Sequence, residues 1–339
     1  DDRTSRGLGD VYKRQVATII ENRRKEKYQS IFDLVKKVDL RAANKKTLEN
    51  LALAGGFDSF DKTHRAQYFN PDGDGIIFLE RVIRFGARYQ ENLNSAQTSL
   101  FSEQSDEVYQ ELIIPNAPEW QNLEQLKREK EVVGIYLSGH PLDNFKKEMH
   151  WFTNGVLSNL KDLKPLINKN INVAGIINEV EFLESKNGRQ WGKFTLEDFS
   201  EQYEFKIFGE EFLKFKHFIN INQFVRLKLN IREGWRNQDT GRIGDPRIQF
   251  LSFEMLHDAI NNNSKKITLK FDIRKLQAKR ILRLKSELNR FKGDKPICFD
   301  IIDSEKSLKL TLNSRKQKVG ISPELLDHLD NNDWIYKLN

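Results

Sequence analysis

The spacing of apolar residues changes character along this chain, and each change marks a boundary. From Val16 to about Phe69, apolar positions recur at helical spacing in short runs. Ser30 followed by Asp33 fits the capped start of a helix through Val38. Asn44 fits the cap of a second helix, Lys45 to Leu53, which stops at Gly55-Gly56. Asn70 to Gly75 is rich in turn formers, and Ile76 to Leu93 returns to helical spacing. Asn94 to Pro118 is polar and proline-bearing and reads as extended. Pro118 to Phe152 reads as helical, with a break at Gly139-His140-Pro141.

From Ile171 the period shifts toward two. Ile171 to Glu184, Gln190 to Leu196, Tyr203 to Phe208, Phe224 to Ile231 and Arg247 to Glu254 all favour strands. Gly188 sits in the first turn, and Glu210 to His217 reads as a short helix between strands three and four. Five strands with a helix in that position is the order of an OB barrel. After the polar linker Asn261 to Ser264 comes a small α/β unit. It has a strand at Ile267 to Ile273, a basic helix at Arg274 to Phe291, strands at Pro296 to Ile302 and Leu308 to Asn313, and a helix from Pro323. The expected fold is therefore a multidomain α+β protein. Its parts are a helical region over 16–70, a helix over 71–94, a linker over 95–117, a helical connector over 118–165, the barrel over 170–257 and the α/β domain over 265–339.

Composition narrows the class. At 339 residues the chain suits two or three domains. Hydrophobic residues make up 38% and charged residues 31%, and no apolar run approaches the roughly 18 residues that read as a membrane span. No membrane association is expected, and a cytoplasmic setting is the natural reading. The single cysteine, Cys298, excludes an internal disulfide and a cysteine-based zinc site. A net charge of +7 permits an anionic partner such as nucleic acid without requiring one.

No catalytic or metal-binding motif stands complete in the sequence. Asn70-x-Asp72-x-Asp74-Gly75 begins like a calcium loop, but its twelfth position is Arg81 where a bidentate glutamate belongs, so it reads as a surface turn. The six histidines show no ligand spacing, and His140 reads as part of a helix stop. No Gly-rich phosphate loop occurs. Nucleotidyl transfer needs closely placed carboxylates around two metal ions, and none stand in a plausible setting. Neither catalytic nor metal-binding residues are assigned.

Glu124 to Leu142 reads EQLKREKEVVGIYLSGHPL, and Asn44 to Asp58 reads NKKTLENLALAGGFD. Both resemble the alpha subunit of bacterial DNA polymerase III, a C-family replicative polymerase, in its C-terminal third. The resemblance covers residues 16 to 339 nearly end to end. Ser5 to Gln15, SRGLGDVYKRQ, resembles instead the translation of a sequencing-library adapter, so residues 1–15 are excluded from fold reasoning and natural sequence is expected to begin near Val16.

That resemblance implies a set of binding sites. The intact protein would be a DNA-directed DNA polymerase, a nucleotidyltransferase acting in replication. Its palm domain, with the Mg2+ it uses, would lie upstream, and this stretch alone would be inactive and without a cofactor. Gln97-Thr98-Ser99-Leu100-Phe101 matches the Gln-x-x-Leu-Phe pattern of peptides that bind the sliding clamp (beta). Gln97 would hydrogen-bond in a polar subsite while Leu100 and Phe101 fill an apolar cleft, each worth roughly 1.5–3 kcal/mol before ordering costs. Lys45, Lys46, Gly55 and Gly56 resemble part of a helix-hairpin-helix that grips duplex DNA by its phosphates, although a plain helix C-cap explains the glycines as well. The barrel's first loop holds Lys186, Arg189, Trp191 and Lys193. Its last holds Arg232, Trp235, Arg236 and Arg242. These are the places where OB folds take single-stranded template, with aromatics stacking on bases and cations on phosphates. Phe194 is expected in the barrel core and Trp235 on a base. The basic helix of the terminal unit stands where the family contacts the tau subunit of the clamp loader, though a solvated face accounts for it equally. Two rival readings are a stand-alone OB-fold protein that binds single-stranded DNA or tRNA, and a structural replisome adaptor with no polymerase parent.

Overall fold

The computed structural model describes residues 16–17, 19–60, 62–98, 112–236, 243–303 and 305–339, without the side chains of 94–98 and 275. The expectations for residues 1–15 and for Ser99, Leu100, Phe101 and Arg242 lie outside the described residues. The chain divides into two compact units, Asp1–His140 and Pro141–Asn339.

The first unit is helical: α1 (19–25), α2 (Ile31–Lys37), α3 (Lys45–Leu53), α4 (Arg65–Tyr68), α5 (Phe78–Thr98) and α6 (Asn122–Val133). Its starts are where the sequence puts them. Ser30 Oγ accepts the Asp33 N–H at 3.1 Å, and Asn44 Oδ1 accepts the Thr47 N–H at 3.0 Å, so each helix has one orphan donor satisfied. α2 and α5 interleave around Phe32, Val35, Phe78 and Val82, all buried. Gln90, on α5, donates to the carbonyls of Val35 and Val38 at 2.8 Å each and so satisfies the end of α2.

Three boundaries differ from expectation. α5 runs to Thr98, so 94–98 is helical where an extended linker was expected. Its polar residues lie on a helix that packs well upstream, and helix propagation past the packed turns costs little. The expected helical run of 118–152 starts only at Asn122, with Gln121 extended, and is broken over the whole of 134–142 instead of at Gly139–Pro141 alone. Gly134 adopts the left-handed conformation at φ 86°, and its N–H returns to Lys130 O at 2.8 Å, ending α6 there.

The second unit starts with α7 (Lys146–Phe152) and holds two sheets. The first is antiparallel, with β1 (Asn170–Glu184), β2 (Gln190–Glu197), β3 (Gln202–Phe208), β4 (Phe224–Arg232) and β5 (Arg247–Met255) in the order β3-β2-β1-β4-β5. α8 (Gly209–Phe215) lies between β3 and β4 in sequence, as expected. Alternation sets the core. On β4, Val225, Leu227, Leu229 and Ile231 are all fully buried, and Phe194 and Phe205 stack inside at 5.2 Å. Asp198 is buried too, held by the N–H groups of Leu157, Ser200 and Glu201 at 2.7, 2.7 and 3.0 Å. It therefore ties the incoming chain to the end of β2.

The second sheet follows α9 (Ala259–Asn263). It comprises β6 (Ile267–Asp272), β7 (Lys292–Asp303), β8 (Leu308–Val319) and β9 (Ile335–Leu338) in the order β8-β7-β6-β9, with β6 and β7 parallel and the other pairs antiparallel. α10 (Ala278–Leu288) and α11 (Pro323–Asn331) complete it. The expected helix from Arg274 starts later, because the Asp272 carboxylate accepts the Arg274 N–H at 3.0 Å and holds a tight turn first. β9 was not anticipated. At four residues it carries no period of its own, and its pairing with β6 defines it.

Candidate nucleic-acid interface

The outward residues of the five-stranded sheet fall in rows fixed by register. Leu183 pairs with Trp191 and Trp191 with Phe208; Glu181 pairs with Lys193 and Lys193 with Lys206. Trp191 and Phe208 stack at 5.1 Å, making an aromatic step on the sheet surface. Lys193 is occupied by Glu181 at 2.8 Å and Glu204 at 3.7 Å, which raise its pKa and offset its positive charge as felt by a distant anion.

Beside this step a groove of about 760 Å³ opens between β3 and the β4–β5 end of the sheet. Phe208, Lys206, Arg232, Trp235, Arg247 and Gln249 line it. Trp235 is 75% exposed, and the Arg247 guanidinium lies over its ring at 3.9 Å. A cation–π stack of this kind fixes the indole and places a positive group beside it. Arg232 Nε donates to Gln249 Oε1 at 2.6 Å, so its guanidinium is held at the groove wall. Glu211 also lines the groove, and burial pushes its carboxyl pKa up. Aromatic rings with flanking cations suit unpaired bases and their phosphates.

The fold thus joins Arg232 and Trp235 in one groove and brings Trp191 to it through Phe208. It leaves Lys186 and Arg189 exposed at the β1–β2 turn, outside the groove lining. Arg236 forms a backbone bridge with Ile243. Sequence reading missed Phe208, Lys206 and Arg247. Strand parity on β3 was the available signal for the first two, and Arg247 opens β5 a few residues after the loop that was read as functional.

In the helical unit, charge is used differently. Arg65 grips Asp58 through Nε–Oδ1 at 2.9 Å and Nη2–Oδ2 at 2.6 Å, and reaches Glu129 Oε1 through Nη1 at 2.6 Å. Glu129 is fully buried. It also accepts Ser138 Oγ at 2.5 Å and the N–H groups of Leu137 and Ser138 at 3.1 and 3.0 Å. Burial alone would push its carboxyl pKa up, but the hydrogen bonds from Ser138, Arg65 and Leu137 overcome this and hold it at about 2. The stretch from Glu124 to Leu142 therefore has a structural logic invisible in its composition: the helix supplies a carboxylate that anchors the loop following it.

This network bears on the glycines. Gly55 has φ 84°, and a Cβ there would lie 2.2 Å from Arg65 Nη2. The Gly55 and Gly56 N–H groups donate to Ala52 O at 3.2 Å and Leu51 O at 2.7 Å. Their amides are consumed in the helix cap, so a phosphate would have to displace those bonds, and the C-cap explanation accounts for both. Lys45 is bound by Glu80 and lies 3.9 Å from Glu49, whereas Lys46, exposed like Lys45, has no ion-pair partner among the described residues. Asp72 Oδ1 accepts the N–H groups of Asp74 and Ile76 at 3.0 and 2.9 Å, the geometry of a turn. Gln97 and Thr98 fall on the last residues of α5. Among the described residues, no group of three or more His, Cys, Asp or Glu side chains is placed to hold a metal ion, and no helix is long and apolar enough to cross a membrane.

Comparison with known proteins places these units. Residues 6–68 match a helix-hairpin-helix motif model, and residues 267–339 match the C-terminal domain of the DNA polymerase III alpha subunit. The chain is 29% identical over 307 residues to the DNA polymerase III subunit alpha of Borreliella burgdorferi, covering 88% of this chain and 25% of the relative. With that of Pseudomonas fluorescens it shares 28% over 296 residues, 84% of this chain and 24% of the relative. With that of Buchnera aphidicola it shares 30% over 232 residues, 66% and 19% respectively. The chain thus spans a quarter or less of the length of these relatives. It belongs to the DNA polymerase III alpha subunit family and corresponds to that family's C-terminal region.

Proposed function

We propose that this stretch is a DNA-gripping and partner-docking part of a replicative polymerase subunit. The five-stranded sheet acts as an OB-type platform for single-stranded template. The observation that carries this is the groove in which the Arg247–Trp235 stack faces Phe208 and Arg232. Each stacked base would contribute about 1–3 kcal/mol, and the cations would bind phosphate without reading sequence. Measured against a short oligonucleotide, log affinity should fall against log salt with a slope of about −0.7 per phosphate contacted. A flat salt response removes the electrostatic part of the proposal.

The helix-hairpin-helix match supports duplex binding by the helical unit, with Lys46 as the cation that has no ion-pair partner among the described residues. Gln97 to Phe101 is read as the sliding-clamp peptide, and the terminal unit as the clamp-loader (tau) contact. Leu100→Ala with Phe101→Ala should abolish clamp binding and leave DNA affinity nearly unchanged; unchanged clamp affinity refutes that assignment. A peptide of this size binds weakly by itself, and its usefulness comes from clamp and polymerase sharing one DNA molecule. A stand-alone single-strand or tRNA binder is the second reading, and a preference for RNA over DNA in the groove would favour it. On the first reading the setting is the bacterial cytoplasm, and template-directed synthesis with Mg2+ is work to which these residues contribute binding.

A further inference from the structure

The four-stranded sheet has one apolar face, and among the described residues part of it has no cover. Register sets Leu310 beside Ile301 and Ile301 beside Phe271; it sets Leu312 beside Phe299 and Phe299 beside Leu269. Over β6 and β7 this face packs under helices, with Leu269, Leu284, Leu288, Leu325 and Leu329 buried in one cluster. On β8 the cover stops. Leu308, Leu310 and Leu312, on one face by strand alternation, are 61%, 55% and 44% exposed. Between α10 and this strip lies a cavity of about 320 Å³ whose lining is apolar except for Lys285 and Gln317.

The cations divide along the same line. Arg274 pairs with Asp272 and Glu305, Arg283 with Glu287, and Arg280 lies over the Trp334 ring and donates to Asp333 O. Lys285, at the cavity rim, and Lys306, two residues before Leu308, have no ion-pair partner among the described residues, and both are exposed. Residues 265–339 carry 18 Lys and Arg against 10 Asp and Glu, so this unit attracts an acidic partner at long range.

We infer that the β8 strip and its cavity dock an amphipathic helix of a partner protein, with apolar residues on one side and acidic residues on its flanks. The helix lies beside α10 and extends the helical layer across the rest of the sheet. Its apolar side chains enter the cavity and cover Leu308, Leu310 and Leu312, and its carboxylates reach Lys285 and Lys306. A helix fits better than an added strand because the cavity opens on the face of the sheet, where a side-chain stripe can enter it. The inference rests on the proposal that this unit contacts the clamp loader, and it assigns that contact a surface and a chemistry.

The test uses the full chain. Binding of purified tau subunit, and of a fluorescein-labelled synthetic helix of alternating leucine and glutamate stripes, is measured for the native sequence, Leu310→Glu and Lys285→Glu. Leu310→Glu should weaken both by on the order of tenfold or more, since a charge would enter the centre of the contact. Lys285→Glu should weaken the glutamate helix and favour one with lysine flanks. Leu308→Ser serves as the milder variant if Leu310→Glu melts at a lower temperature. Equal tau binding by the native chain and Leu310→Glu overturns the inference and leaves the clamp-loader reading in place. No tau binding by the native chain overturns that reading, while helix binding lost in Leu310→Glu would still support the surface. Self-association that Leu310→Glu abolishes, seen by sedimentation, assigns the strip to a second copy and overturns the inference.

Discussion

Arg65 in the helical unit and Arg247 in the sheet unit carry the same guanidinium, and the fold puts them to opposite use. Arg65 is 7% exposed, and its donors are spent on Asp58, Glu129 and Leu53 O. It holds loop to helix. Arg247 lies over an open indole at the mouth of a groove. Lys45 and Lys193 resemble Arg65 in this respect: each is bound by carboxylates of its own unit. A cation's partner therefore decides its role more than its position in a basic stretch does. Buried pairs specify structure at a desolvation cost, while open cations keep their charge for a ligand.

The largest effect that could break this contrast is on stability. Glu129→Ala leaves Arg65 without one of its two carboxylate partners and Ser138 without an acceptor. It should destabilise the helical unit by about 3–5 kcal/mol in urea unfolding. Single-strand affinity of the folded protein should not change. A stable Glu129→Ala protein would mean that the network is dispensable. Acid should act through the same group. Its folded pKa of about 2 lies below the ordinary 4.5, so the folded state binds the proton less well than the unfolded chain. The stability it contributes is present above pH 4.5 and is lost as pH falls toward 2, by at most about 3 kcal/mol. Glu129→Gln should flatten that part of the pH profile.

The next effect belongs to the groove. Trp235→Ala should cost about 1–3 kcal/mol in single-strand binding and leave the melting temperature nearly unchanged, because the indole is mostly exposed. Loss of stability with unchanged affinity would reverse the assignment. The smallest effect sharpens the comparison within one sheet. Lys193→Ala should alter single-strand affinity by less than about twofold, since exposed, carboxylate-paired lysines contribute little beyond their pair. An effect as large as that of Trp235→Ala would show that Glu181 and Glu204 release it on binding.

Much of the fold was legible along the chain. Ser30 and Asn44 announced their helices by local hydrogen bonding, and five strands emerged from alternation within a residue or so of their observed ends. These signals are local, so a linear reading captures them. The groove was half legible. Trp235 and Arg232 stood out in a basic loop, but Phe208 and Lys206 owe their place in the groove to β3 facing the start of β5. The run 134–142 was misread as largely helical because its real organiser, the Glu129 carboxylate, acts from the preceding helix.

Residue order alone settled which segments could be helix or strand, where most of them start, and which side of each strand is apolar. These follow from backbone caps and from periodicity, which neighbours in sequence dictate. Only the tertiary structure decided which charges are spent and which remain available. Arg65 meets a carboxylate 64 residues away, and Trp235 shares its groove with Phe208, while no pattern in the chain encodes those distances. They depend on how packed elements bring remote side chains together, and that packing separates the residues that hold this protein in shape from those proposed to hold its DNA.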